Sequence, residues 1–464
     1  MCGILGVSGL DGASRIAQLG LYALQHRGQE SAGIVAVDPA GQARVHRGMG
    51  LVSDVFSESR LAQLTGDVAV GHARYSTAGS TVLANAQPYL VNYHEGPLSV
   101  AHNGNLTNAT ALREELVRAG AIFQSSSDTE VLIHLIARSS APTVESQIRD
   151  ALEQVEGACT VVISAGRTLY AAVDSRGFRP LVWGRIGQGV VIASETCALD
   201  LVGATDLAEL APGDFVRIED GLVTQLAPLA PRPRSRCIFE LVYFARPDSR
   251  IFDRSVDGAR RELGRALARH HAAPGADVVF SVPDSANVMA LGYSEVSGVK
   301  LEHALIRNHY VGRTFIHPTQ SLRVAKVKIK FNPVREIIAG RSVVVIDDSL
   351  VRGTTSKGLV QMIRGAGARE VHLRLGSPPI TGPCHYGIDT PTSDELIAAN
   401  HSTEAIREYL GVDTLEYLTL DEMVDAAGPR TGWCHACFSG AYPTEIPTDL
   451  ARHRHDAPPM AASA

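Results

Sequence analysis

Val343-Val344-Val345-Ile346-Asp347-Asp348-Ser349-Leu350-Val351-Arg352-Gly353-Thr354-Thr355 joins four consecutive apolar residues to two carboxylates, then to a run of hydroxyls and glycine. Three valines and an isoleucine in a row favour a strand buried on both faces, as in a parallel α/β sheet, where ligands gather at the carboxyl ends of strands. Asp347 and Asp348 stand at that end. Ser349, Arg352, Gly353, Thr354 and Thr355 follow in a loop whose backbone N–H groups can turn toward an anion. The apolar stretch from Ser356 begins a helix whose N-terminus adds favourable partial charge. The segment reads as a sugar-phosphate site, against the plainer alternative of a strand-to-helix turn with hydroxyl caps. Val282-Pro283-Asp284-Ser285 also follows an apolar strand and precedes an apolar segment, with Ser285 either a ligand or a simple N-cap.

A second chemistry lies at the other end. Met1-Cys2-Gly3-Ile4 puts a thiol where loss of the initiator methionine would leave it beside a free α-amine, so one residue supplies both nucleophile and base. Arg74, in Gly71-His72-Ala73-Arg74, follows strand-like Val68-Ala69-Val70 and offers a two-pronged guanidinium suited to an α-carboxylate. Asn103 and Gly104, after another short apolar run, could supply side-chain and backbone N–H groups to an oxyanion. Seen alone, Asn103-Gly104 is also a common hairpin turn, and Arg74 could be a surface residue at a strand end. Asp128 could hold an α-ammonium, or favour a helix dipole in a first turn where Ser127 and Glu130 fit a capping box.

The chain has 464 residues, 45% hydrophobic and 20% charged, enough to bury two cores. Its net charge of -6 gives no global reason to expect nucleic acid or an acidic membrane as partner, so any anion site must be local. No apolar run is long enough to span a bilayer and the start lacks signal-peptide character, which predicts a cytoplasmic protein. Repeated proline over Pro228-Leu229-Ala230-Pro231-Arg232-Pro233-Arg234 breaks regular structure and divides 1–230 from 231–449, with 450–464 a mobile tail. Short strand-like segments and a hairpin around Glu219-Asp220-Gly221 precede the division. Alternating helix and strand patterns follow it: a helix near Asp253 to His270 and a strand at Asp277 to Val282.

Seven cysteines in so long a chain argue against a disulfide scaffold. Cys434-His435-Ala436-Cys437 is a two-ligand clip that Cys237 and Cys384 could complete, and spacing alone suits zinc or a redox pair. Cys159 and Cys197 sit in apolar contexts and read as core residues. Between Tyr310 and Asn332 stand Arg313, Arg323, Lys326, Lys328 and Lys330 with no acid. That is either a basic loop that closes on a polyphosphate or, over Lys326 to Phe331, a half-buried strand with a charged face.

The Asp347 segment resembles the phosphoribosyl diphosphate (PRPP) signature of type I phosphoribosyltransferases. Cys2, Leu24-Gln25-His26-Arg27-Gly28-Gln29-Glu30-Ser31-Ala32-Gly33, the Arg74 and Asn103 segments and Ser126-Ser127-Asp128-Thr129-Glu130 resemble class II glutamine amidotransferases. Together with Asp174 to Leu181, Tyr243 to Ser249 and Tyr310 to Ile316 they resemble the amidophosphoribosyltransferase family over nearly the whole chain. The resemblance implies an α/β and α+β two-domain fold. Its first domain is a four-layer αββα N-terminal-nucleophile amidohydrolase, and its second a type I phosphoribosyltransferase with a doubly wound, mainly parallel sheet. It implies transfer of the glutamine amide nitrogen to PRPP, with Cys2 as nucleophile, Asn103 and Gly104 at the oxyanion, and Arg74 and Asp128 on glutamine. Arg27 and the loop after Arg74 would close over that substrate. It places PRPP on Asp347, Asp348, Ser349, Arg352, Gly353, Thr354, Thr355 and Arg313, and Mg2+ on Ser285, Asp347 and Asp348. The usual small residue soon after Ser285 is replaced by Ala286-Asn287. Cys237, Cys384, Cys434 and Cys437 match the iron-sulfur branch and imply a 4Fe-4S cluster. Purine nucleotide inhibitors, a homotetramer and an internal ammonia passage are further expectations. The competing readings are a PRPP-binding regulator without catalysis, and an amidotransferase serving another acceptor.

Overall fold

The computed structural model describes residues 1–75, 81–308 and 329–447. Arg313, Arg323, Lys326, Lys328, the segment Tyr310 to Ile316, the loop expected to close after Arg74 and the tail 450–464 lie outside the described residues.

The Gly3–Ser8 strand is buried at every position and runs antiparallel between Val68–Arg74 and Gly189–Ala193. It lies in a seven-stranded sheet ordered Thr205–Glu209, Val182–Ile186, Gly189–Ala193, Gly3–Ser8, Val68–Arg74, Ser31–Val37, Ala43–Met49. A six-stranded sheet runs Leu222–Gln225, Phe215–Glu219, Thr168–Ala172, Gly157–Ala165, Gly96–Leu106, Tyr89–Tyr93. Ile4, Val35 and Val70 of the first sheet meet Ala101, Val162 and Ala171 of the second, so the sheets stack face to face. Helices Ala13–Ala23 and Thr196–Leu201 cover the outer face of the first sheet, and Thr129–Arg138 and Val144–Gln154 cover that of the second. The layers are therefore αββα, as expected. Asp220 and Gly221, both at positive φ, form the two-residue hairpin loop between Phe215–Glu219 and Leu222–Gln225.

Pro228 to Arg234 carries neither helix nor strand, and every strand of the two stacked sheets precedes it. Beyond it a five-stranded sheet runs Lys300–Leu301, Val278–Ser281, Ser342–Asp347, Glu370–Leu375, Thr414–Tyr417, with every pair parallel. The central strand explains its composition: Val344 and Ile346 face helices Val256–His270 and Asn287–Ser297, while Val343 and Val345 face Thr354–Gly365 and Thr403–Leu410. A period-two strand running from Lys326 does not extend as far as Lys330. Ile329 and Lys330 are helical, and the strand Phe331–Pro333 begins after them.

Four charged groups with no solvent exposure join the two halves. Arg27 donates from Nε to Glu195 and from Nη2 to Glu240 Oε2 at 2.6 Å, and Arg179 Nη1 reaches Glu240 Oε1 at 3.3 Å. Glu240 begins the π-helical turn Glu240–Phe244 of the second half. Truncating one member of a buried ion network strands its partners in a medium that cannot solvate them. Glu240→Ala is expected to cost about 3–5 kcal/mol of stability, read as a lowered urea midpoint. An unchanged midpoint would show that the two guanidiniums find other partners.

Candidate functional site

Cys2 immediately precedes the Gly3–Ser8 strand and is 6% exposed. Its Sγ lies 3.6 Å from the Tyr75 carbonyl, and its nitrogen donates to Asn103 Oδ1 at 3.0 Å. That nitrogen becomes the α-amine on loss of Met1. Asn103 and Gly104 are not in a hairpin. They lie within Gly96–Leu106, opposite Thr160 and Cys159, where the side chains that break the apolar pattern are buried against the neighbouring strand. Asn103 Nδ2 is buried and has no hydrogen-bond partner among the described residues, leaving a donor beside Cys2. Gly104 admits no side chain, since a β-carbon there would sit 2.0 Å from the Ala158 carbonyl oxygen. The strand is steadied by His72, whose Nε2 lies 3.2 Å from the His102 carbonyl. Burial pushes the His72 pKa down to about 3, so this ring is neutral and Nε2–H is the donor.

Arg74 ends the Val68–Arg74 strand, buried, with Nη1 2.9 Å from Glu30 Oε1. Asp128 immediately precedes helix Thr129–Arg138, and its Oδ2 accepts from Leu106 N at 2.9 Å, which ties it to the strand carrying Asn103. The capping box expected from Ser127 and Glu130 does not form. The Glu130 carboxylate instead accepts from Gln124 N and Ser125 N, each at 2.8 Å, because the preceding loop folds back over it. Arg27, expected to close over glutamine, has no solvent exposure here and its guanidinium is held by Glu195 and Glu240.

In the second half, Asp347 ends the Ser342–Asp347 strand at the centre of the parallel sheet, and Asp348 begins the loop. Asp348 N donates to Asp347 Oδ1 at 2.9 Å, and the Ser349 hydroxyl to Asp348 Oδ1 at 2.6 Å. Ser285 is not the N-cap of its helix; Ala286 holds that position, and the Ser285 hydroxyl donates to Asp348 Oδ2. The unusual Asn287 accepts at Oδ1 from the Ser281 hydroxyl at 2.6 Å, joining strand end to helix start. Burial, and for Asp347 repulsion from Asp348, raises both acids above the usual carboxylate range. Gly353, at φ +71, leads into helix Thr354–Gly365, whose first residues Thr354 and Thr355 are exposed. The Arg352 side chain pairs with Glu395 at 3.0 Å in solvent. A cavity of about 150 Å3 opens at the end of the Val278–Ser281 strand, lined by Ser281, Asp284, Asn287, Glu302 and Arg307 among others.

Cys237, Cys384, Cys434 and Cys437 are 6–9% exposed, and Cys237 pairs with Cys434 across two short parallel strands. Burial raises the thiol pKa values of Cys237, Cys434 and Cys437, and each of these also feels the charge of its neighbours in the set. Cys384 Sγ accepts backbone N–H groups from Tyr386 at 3.4 Å and Ile388 at 3.5 Å. Among the described residues no three His, Cys, Asp or Glu side chains converge as ligands of a single metal ion. Cys159 and Cys197 are buried at 3% exposure, as their apolar contexts imply.

A family model described as a glutamine amidotransferase domain matches residues 72–201. The amidophosphoribosyltransferase of Bacillus subtilis is 47% identical over 455 residues, 97% of this chain and 95% of that one. Amidophosphoribosyltransferase 2, chloroplastic, of Arabidopsis thaliana is 49% identical over 458 residues, 98% of this chain and 81% of that one. The chain belongs to the amidophosphoribosyltransferase family. A solved glutamine PRPP amidotransferase from B. subtilis, complexed with ADP and GMP, superposes with a TM-score of 0.91 at 47% identity, covering 97% of this chain and 99% of that one. Amidophosphoribosyltransferases move the amide nitrogen of glutamine to PRPP, giving 5-phosphoribosylamine, glutamate and pyrophosphate at the first committed step of de novo purine nucleotide synthesis, and this chain carries that activity.

Glu30 was legible only as part of a motif; its partnership with Arg74 across 44 residues was not. A hydrogen bond to a charged group contributes about 1.5–3 kcal/mol. Glu30→Gln is therefore expected to raise the KM for glutamine by roughly tenfold with the ammonia-dependent rate unchanged, measured by steady-state kinetics. An unaltered KM would detach Arg74 from glutamine.

Proposed function

We propose that the two halves of the reaction run at Cys2 and at the Asp347–Asp348 loop, and that the contact of the Cys2 nitrogen with Asn103 carries the assignment of the first. The free α-amine takes the Cys2 thiol proton once Met1 is removed, and the sulfur attacks the glutamine carboxamide carbon. Arg74 pairs with the α-carboxylate and Asp128 with the α-ammonium. Asn103 Nδ2 and Gly104 N–H donate to the oxyanion of the tetrahedral intermediate. Its collapse expels ammonia, taking up the proton, and water hydrolyses the thioester to glutamate. The ammonia lone pair then attacks C1 of PRPP as the bond to pyrophosphate breaks, while Asp347 and Asp348 stabilise the cationic sugar. Ser349, Gly353, Thr354 and Thr355 cradle the 5-phosphate at the helix start, Arg352 contributes from the same loop, and the family resemblance makes Arg313 a further PRPP ligand.

Ser285, half-buried Asp347 and buried Asp348 would make a hard-oxygen donor set, which suits Mg2+. Mg2+ there would neutralise the departing pyrophosphate. Four buried thiols with backbone N–H groups aimed at one sulfur suit a 4Fe-4S cluster. That cluster would hold Cys237, Cys384 and the C-terminal clip together as a structural, oxygen-sensitive pin. Purine nucleotides as feedback inhibitors are supported by a related B. subtilis structure that carries ADP and GMP, and a homotetramer by the family resemblance. Seven unpaired cysteines favour a reducing, cytoplasmic setting, and no helix among the described residues is long and apolar enough to cross a membrane.

Anaerobically purified protein given glutamine, PRPP and magnesium should release glutamate and pyrophosphate in equal amounts, each dependent on both substrates. Cys2→Ala is expected to abolish glutamine-dependent turnover and keep the ammonia-dependent rate, whereas Asp347→Asn should depress both by roughly 10²-fold or more. Loss of ammonia-dependent turnover in Cys2→Ala would contradict the division of labour. Anaerobic analysis should find iron and acid-labile sulfide in equal amounts, and zinc without either would overturn the cluster.

A further inference from the structure

The Cys384 to Ile388 loop of the second half is folded against the strand that holds the oxyanion donors of the first. Asn105, one residue past Gly104 and 6% exposed, donates from Nδ2 to the His385 carbonyl at 2.9 Å. Gly387, at φ +108, approaches so closely that a β-carbon on it would lie 3.0 Å from both the carbonyl carbon and the oxygen of Gly104. Tyr386, between these contacts, is fixed on three sides. Its carbonyl accepts from Arg179 Nη2 at 2.7 Å, its ring stacks on Phe178 at a centroid distance of 4.3 Å, and its hydroxyl lies 2.9 Å from the Thr444 hydroxyl. The two N–H···S bonds to Cys384 set the curve of the loop from inside.

Gly104 is thus confined on both sides, by the Ala158 carbonyl of its own sheet and by Gly387 of the other half. With no side chain to anchor it, the placement of its N–H depends on those walls. An oxyanion donor acts only within about 2.7–3.1 Å of the developing charge, and displacement by an ångström can cost about 10²-fold in rate.

We propose that Gly387 and Asn105 are positioning residues for glutamine hydrolysis: the Cys384 loop completes the oxyanion hole from across the domain boundary by setting the position of Gly104. This rests on the assignment of Asn103 and Gly104 as oxyanion donors. It makes the glutaminase dependent on the cysteine-bearing segment through packing, with no contact between that segment and glutamine.

The test compares Gly387→Ala, which pushes on Gly104, with Asn105→Ala, which removes one hydrogen bond and adds no bulk. In each, kcat with glutamine is expected to fall about 10–10²-fold with KM little changed and the ammonia-dependent rate at the wild-type level. Affinity for the γ-aldehyde of glutamate, which forms a tetrahedral adduct with the thiol, should fall in parallel, while product inhibition by glutamate stays constant. Retained aldehyde affinity in both variants, or a rise in KM at constant kcat, would overturn the inference. So would parallel loss of ammonia-dependent activity in both, which marks a merely structural contact. Cys2→Ala assayed alongside separates the failures: if it still hydrolyses glutamine, the active-site assignment itself falls, independently of Gly387.

Discussion

Arg27 lies between two carboxylates drawn from opposite halves of the chain, and the joining of the two sites depends on that pair. A guanidinium without solvent is tolerable only because Glu195 and Glu240 both reach it. Burial alone would raise the Glu195 pKa; Arg27 and His26 hold it well below the carboxylate range instead. The next residue, Gly28, packs so tightly that a β-carbon would stand 2.5 Å from the Ala73 and Arg74 carbonyl carbons. Fixing Arg27 therefore fixes the strand end from which Arg74 projects. The edge-on contact of Tyr75 with Phe244, at 6.1 Å between centroids, links the same strand end to the turn that carries Glu240.

Local signals in the sequence were read where local physics decides them. Four apolar residues before Asp347 could only be a strand covered on both faces, and Val343 and Val344 indeed face different helix layers. Asp220-Gly221 specified its hairpin because both residues tolerate positive φ. Signals failed where the deciding partner is remote. The ion pair of Arg27 with Glu240 spans 213 residues, so no local pattern announces it. Asn103-Gly104, a common hairpin pair when seen alone, sits inside an eleven-residue strand whose buried His102, Asn103 and Asn105 break the usual apolar alternation. Ser285 could be a cap or a ligand on local sequence, and its hydroxyl hydrogen-bonds instead to Asp348, 63 residues on. Glu130 had a capping pattern, but a loop folded back to claim its carboxylate.

The cysteines illustrate the same limit. Spacing gave a clip and two singletons, and the fold buries all four in one cluster, on the same face of the parallel sheet as Val344 and Ile346, with Ile238, Phe239, Tyr386 and Phe438. Arg179, without exposure, lies close enough to Cys237 and Cys384 for their charge to raise its pKa, and it also bonds Glu240. One buried cation thus bonds both Glu240 and the Tyr386 carbonyl of the loop that follows Cys384. Nothing in the residues around Arg179 announces either task.

Asn103 Nδ2 is an amide donor shut away from water and unmatched among the described residues. Such a group costs about 1–3 kcal/mol relative to a satisfied one, so the fold carries a standing destabilisation that a bound acceptor would relieve. Selection for a more stable protein would erase this donor, and selection for turnover retains it. The neighbourhood of Cys2 is therefore a place where thermal resistance and a waiting hydrogen-bond donor pull in opposite directions.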